Sequence, residues 1–134
     1  MLVWDRNEDV AAYVQGKVGI IIYPPFTALG TTNRAGEITA GIVFNCWNGA
    51  DVDLTIANDG GLNRSLIYAT ARYVFNDMKC SRGTIIVRKK DQKTYETALK
   101  FGFNPEGEKR LGFGDDDAVI MGMIKAECPW WKEN

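Results

Sequence analysis

The sequence predicts an α/β (α+β) domain built on a mixed sheet, and three observations carry that prediction. Apolar residues alternate with small or polar ones over Gly36–Trp47 and Asp51–Ala57, the period of a strand. An apolar stripe at helical spacing runs from Leu62 to Asp77. Thr84–Val87 is short and nearly all apolar, the mark of a strand covered on both faces. Strands and helices interleave along the chain, so the layers must share one sheet. With 134 residues the chain has material for one core, and residues 1–134 are read as one domain.

The elements follow in order. Glu8–Gln15 places Val10, Ala11 and Val14 at helix spacing, with Gly16 and Gly19 closing the turn. Gly19–Tyr23 reads as a strand that stops at Pro24-Pro25, which lack N–H donors. In Gly36–Trp47, Ile38, Ala40, Ile42, Phe44 and Cys46 form one face. Asn48-Gly49 reads as a tight hairpin turn into the next strand. There Val52, Leu54 and Ile56 share one face, and Asp51, Asp53 and Thr55 the other. Asn58-Asp59-Gly60-Gly61 breaks it. In the long helix Leu62, Leu66, Ala69, Thr70, Tyr73 and Val74 form the stripe. A second helix spans Asp91–Phe101 with Tyr95, Ala98 and Leu99 inward and Gly102 as its cap. Glu108–Phe113 and Ala118–Ile124 form a last hairpin about an exposed Gly114–Asp117 turn.

Composition excludes several chemistries. There is no histidine, which removes Ser-His-Asp and Cys-His nucleophilic machinery and imidazole metal sites. Cys46, Cys80 and Cys128 are far apart and odd in number, so they read as buried thiols and not as a disulfide framework. A net charge of −1 offers no field for nucleic acid or anionic lipid. No apolar run, Val18–Tyr23 among them, approaches the roughly 18–20 residues of a span. The expectation is a soluble, cytoplasmic protein with no nucleic-acid, membrane or metal partner.

Three places hold chemistry. The Gly60-Gly61 turn before a helix directs main-chain N–H groups outward at the positive end of the helix dipole, an anion site to which Arg64 adds charge. The alternative is a plain turn with Asn58 or Asp59 as N-cap. Arg88-Lys89-Lys90 precedes Asp91, a good N-cap, and would gather near a bound anion or stand as a solvated loop. Asp51 and Asp53 share a strand face, where each raises the cost of ionising the other, and either is a candidate base toward an amine. Trp130-Trp131 reads as a core plug or a dimer contact.

Together these segments resemble the GNAT superfamily of N-acetyltransferases, and within it the small phage and prophage proteins and the ribosomal-protein-acetylating branch. The run Arg82…Asp91…Gly102-Phe103…Glu106-Gly107…Arg110 follows that branch's pattern of Arg, Asn, GF, EG and Arg. GEITAGIVFN, LNRSLIYATARYVF and GMIKAECPW resemble the family's hairpin strand, central helix and closing strand. The likeness runs from about Gly36 onward, with a shortened N-terminal helical region. Where the family's pyrophosphate loop reads Arg/Gln-x-x-Gly-x-Gly/Ala, this chain has Ile56, Asp59 and Gly61. Asp91 stands where a CoA-contacting Asn is usual, and Ala98 where many members carry a general-acid Tyr.

The resemblance implies a mixed, mostly antiparallel sheet with a splayed strand pair at the cofactor slot. It implies acetyl-CoA as cofactor, held by Thr55, Ile56, Ala57, Gly60, Gly61, Arg64 and Asp91. An N–H near Thr55–Ala57 would polarise the thioester carbonyl, and Asp53 would take the amine proton. The partner is an amine acceptor, protein or small molecule, and the assembly a monomer or homodimer. The alternative is a non-catalytic binding protein of the same fold, a phage factor engaging a host protein.

Overall fold

The computed structural model describes residues 1–131. Its elements are β1 (Leu2–Val3), α1 (Asn7–Val18), β2 (Phe26–Thr32), β3 (Ile38–Asn45), β4 (Asp53–Asn58), α2 (Arg64–Arg72), β5 (Arg82–Arg88), α3 (Gln92–Lys100), β6 (Asn104–Lys109) and β7 (Ala118–Ile124). The strands form one sheet in the order β1-β2-β3-β4-β5-β7-β6. Every neighbouring pair is antiparallel except β4–β5. The mixed, mostly antiparallel sheet expected from the sequence is therefore present, and a single helix separates β1 from β2.

Side-chain alternation sends the strands' residues to two cores. On one face Val10, Ala11 and Val14 of α1 pack with Ala28, Val43 and Ala57. On the other, Leu66, Val74 and Phe75 from the α2 segment and Ala98 of α3 cover Leu29, Ile42, Phe44, Leu54, Ile85 and Met121. Burial of each Val, Leu, Ile, Phe or Met side chain here contributes about 1.5–3 kcal/mol. Beyond Arg72 the helix widens into a π-helical turn over Tyr73–Asp77, where Met78 N–H bonds to Tyr73 O at 2.8 Å. Sequence periodicity, which assumes 3.6 residues per turn, does not register that change.

Several boundaries differ from the sequence reading. Ile20–Tyr23 is not a strand: Gln15 Oε1 accepts the Ile22 N–H at 2.6 Å, tying the segment to α1, and the strand begins after the prolines at Phe26. The turn after β3 spans residues 46–52, with Asn48 Oδ1 accepting the N–H of Ala50 and of Asp51. Leu99 is 42% exposed and not inward; Ala98 alone in α3 is buried. The last hairpin uses Asn104–Lys109, and Glu108–Phe113 mostly belongs to its connection. Gly114–Asp117 is not a free turn, because Asp116 is buried and accepts the Lys90 N–H at 2.9 Å. Cys80 and Cys128 are buried as expected, but Cys46 is exposed.

Among the described residues no helix is long and apolar enough to cross a membrane.

Candidate active site

β4 and β5 are joined over only two rungs, Asp53↔Thr84 and Leu54↔Ile85. Each stays paired with its outer neighbour along its whole length: β4 with β3 from Asp53 to Asn58, and β5 with β7 from Arg82 to Arg88. The two halves of the sheet therefore diverge beyond Leu54 and Ile85. Backbone polarity alternates along a strand, and Thr84 N–H points to β4, bonding Val52 O at 3.0 Å. By the same alternation Ile56 turns its N–H and C=O into the gap, while Thr55 and Ala57 turn theirs to β3. Of the predicted Thr55–Ala57 segment, only Ile56 presents its main chain to the slot.

A cavity of about 660 Å³ lies along this gap, within the roughly 300–1,000 Å³ usual for ligand pockets. Its walls include Ile56 and Ala57 from β4, Ile86 and Val87 from β5, Phe103 after α3, and Trp130. Trp130 is half-buried, its indole N–H donating to Phe101 O at 2.9 Å and its ring 5.5 Å from that of Tyr68. Trp131 is half-buried too, bonded to Lys125 O, so this pair plugs the helical face. The slot is open, largely apolar and lined by a free strand edge, which fits an extended pantetheine arm.

The anion end differs from expectation. Asn58 Oδ1 accepts the N–H of Gly60 at 2.8 Å and of Leu62 at 3.0 Å. Thr39 O accepts those of Asp59 at 2.7 Å and Gly61 at 3.3 Å. The turn's donors are thus bonded inward, contrary to the outward-aimed amides the sequence implied. The helix starts later than predicted, with Asn63 as its N-cap on Leu66 N–H at 3.0 Å, not Asn58 or Asp59. Gly60 lines the cavity; Gly61 is buried against β3, where a Cβ would lie 2.8 Å from the Thr39 carbonyl carbon. Arg64 is exposed and outside the cavity wall.

Of the three cations on the cavity wall, Lys17 and Arg88 are paired, and Lys93 has no ion pair among the described residues. Asp59 bonds Lys17 at 2.9 Å and the Tyr13 hydroxyl at 2.7 Å, and these partners hold its carboxyl below the usual range. Arg88 pairs with Asp115 at 2.7 Å, donates to Val18 O, and lies 4.6 Å from the Phe113 ring centre. Lys89 pairs with Glu108. The Arg88–Lys90 run therefore does not gather at one point. Asp91 lines the cavity, yet its carboxylate caps α3, taking Thr94 N–H at 3.1 Å and Thr94 Oγ1 at 2.6 Å.

The acidic pair is not part of the cavity wall, and Asp53, alternating with Leu54, points to the α1 face of the sheet. Burial, then the charge of Asp51, push the Asp53 carboxyl up. Asp51 is engaged: Thr84 Oγ1 lies 2.9 Å and 3.0 Å from its two oxygens, and Arg82 Nε 3.5 Å away. Arg82 in turn holds Glu106 at 2.6 Å. Two of the residues that carried the family resemblance, Arg82 and Glu106, are thus ion-pair partners. Gly122 of β7 leaves them room, because a Cβ there would collide with both side chains. Sequence reasoning missed Thr84 and Thr39, whose parts depend on cross-strand neighbours, and read Asn58 only as a possible helix cap.

No family model matches the sequence, nor does any curated protein. Solved structures do. The spermidine N-acetyltransferase SpeG from Vibrio cholerae in complex with CoA and spermine superposes with a TM-score of 0.74 at 12% identity, covering 95% of this chain and 96% of that one. A mutant of the same enzyme gives 0.76 at 14% identity, covering 94% of each chain. Its dodecameric intermediate-state form gives 0.74 at 12% identity, again covering 94% of each chain. This is the GNAT fold. Within it, the divergence of β4 and β5 is the splayed strand pair that the resemblance implied.

Proposed function

We propose that this chain is an N-acetyltransferase moving an acetyl group from acetyl-CoA to a primary amine by direct attack. The observation that carries the reading is the open gap past Leu54↔Ile85, with Ile56 N–H turned into it and a cavity along it. Bound acetyl-CoA supplies an electrophilic thioester carbon. The chain's part is to hold and polarise it. Ile56 N–H is the donor for the carbonyl oxygen, where a fixed amide stabilises developing negative charge without reorganisation. Ile86, Val87 and Phe103 exclude water from the arm's path.

Asp53 faces the other side of the sheet, so acceptor and donor approach the gap from opposite faces. Its carboxyl is half-buried and, among the described residues, lacks a salt bridge, while Asp51 keeps its own charge on Thr84 and Arg82. That arrangement suits Asp53 to take a proton from the incoming ammonium, directly or through water, so that the neutral amine attacks the thioester and the CoA thiolate leaves. The acidic face favours a cationic amine, on a protein or a small molecule; the Vibrio cholerae enzyme was solved with spermine. The single helix between β1 and β2 supports the small phage and prophage branch, and an intracellular donor supports a cytoplasmic location. The assembly we propose is a monomer or homodimer.

The test is thiol release from acetyl-CoA across a panel of primary amines, with thermal unfolding followed in parallel. Amine-dependent release and a CoA-induced rise in melting temperature are the expected results. No stabilisation by millimolar CoA removes the proposal.

A further inference from the structure

The turn between β4 and α2 has its ligand-facing donors already satisfied by the chain itself. Asn58 Oδ1 sits between the N–H groups of Gly60 and Leu62, at 2.8 Å and 3.0 Å, a position that an anion's oxygen would otherwise take. The intervening and preceding amides, Gly61 and Asp59, are bonded to Thr39 O of β3. Asp59 brings a carboxylate to the same rim and neutralises Lys17, a cation on the cavity wall. Arg88, also on that wall, is neutralised by Asp115. At the helix start beyond the turn Asn63 Oδ1 occupies one further donor, the Leu66 N–H. At the other end of the cavity the reverse holds: Ile56 main chain is free, and the walls are apolar.

From this contrast we infer that Asn58 plugs the anion cradle, so that a thioester donor is recognised through its pantetheine arm while its pyrophosphate contributes little. The inference rests on the acyltransferase reading and adds a specificity determinant to it. A side-chain amide oxygen is a neutral acceptor held at no translational cost, whereas a phosphate entering must displace it and approach the Asp59 carboxylate. The cradle is therefore closed by sequence-local chemistry, and affinity moves to the strand gap.

Binding, read by calorimetry without turnover, decides it. The wild-type chain binds CoA and free pantetheine with dissociation constants within about threefold of each other, since the shared arm supplies the contacts. CoA binding more than about thirtyfold tighter than pantetheine overturns the inference. Asn58→Ala frees the Gly60 and Leu62 amides and tightens CoA about tenfold with pantetheine unchanged; no change in either overturns it. Asn58→Asp keeps an acceptor for both amides and so preserves the turn. It changes CoA affinity by less than about threefold, and a loss beyond tenfold would place the phosphates at this turn. Failure of CoA and pantetheine alike to bind the wild-type chain removes the acyltransferase reading itself, a result distinct from CoA outbinding pantetheine.

Discussion

Thr84 aims its hydroxyl at the carboxylate of Asp51, 2.9 Å and 3.0 Å from the two oxygens, beside the parallel β4–β5 pairing. Arg82 bonds the same hydroxyl oxygen at 3.1 Å and holds Glu106 at 2.6 Å. The result is a line of charge ending at Asp51, next to an Asp53 that has no ion-pair partner among the described residues.

Asp53→Asn slows amine-dependent thiol release on the order of 100-fold, the usual worth of a positioned base, with CoA affinity unchanged. In the wild-type chain Asp53 works ionised, so kcat/KM rises with pH along a limb above the ordinary carboxylate value of about 4. A pH–rate profile that is flat from acid to neutral contradicts this. The stability consequence has the opposite sense. Because folding raises the Asp53 pKa, its contribution is greatest below the unfolded value and is lost as pH rises through the folded one. Asp53→Asn therefore raises the melting temperature at pH 7, and the difference closes in acid.

Asp51→Asn removes the charge that, after burial, most raises the Asp53 pKa. Its amide oxygen still accepts from Thr84. The acid limb of the kcat/KM profile moves to lower pH while donor affinity is retained, measured by the same assay across a buffer series.

Asp116→Ala destabilises the fold by about 1–3 kcal/mol, because it leaves the Lys90 N–H without its acceptor beside the Arg88–Asp91 turn. Urea denaturation measures the loss. Asp115→Ala, at an exposed carboxylate, leaves the denaturation midpoint close to that of the parent.

Gly61→Ala costs about 1–3 kcal/mol through overpacking, since its Cβ would press on the Thr39 backbone. The site reads as a ligand contact in the sequence, but its neighbour is β3. Gly61→Asp accordingly lowers the denaturation midpoint whether or not CoA is present.

The sheet and helices were legible because alternation and helical stripes report which faces are buried, as at Ile42, Phe44, Leu54 and Leu66. The weak points were contacts invisible to periodicity. Gln15 captures Ile22 and so dissolves a strand pattern at Gly19–Tyr23; Phe26–Thr32, flanked by prolines and glycine, went unread as β2. At the site, Ile56 and Asp53 could be placed by strand parity alone. The fate of Gly60 and Gly61 could not, because it depends on an Asn58 side chain folding back and on Thr39 from the adjoining strand. Likewise Glu106 and Arg82 could be matched to a pattern, but their pairing needed β6, β7 and β5 side by side.

Ending the β4–β5 ladder at Leu54 and Ile85 also gives the molecule a border in its interior. Unsatisfied strand edges on the outside of a sheet invite other chains to add on and start aggregation. Here the bare main chain of Ile56 is recessed between α1 on one face and the two later helices on the other. A slender, flexible guest can thread into it; a neighbouring polypeptide's ribbon cannot. The protein thus keeps adhesive backbone ready for use without presenting it to its own kind.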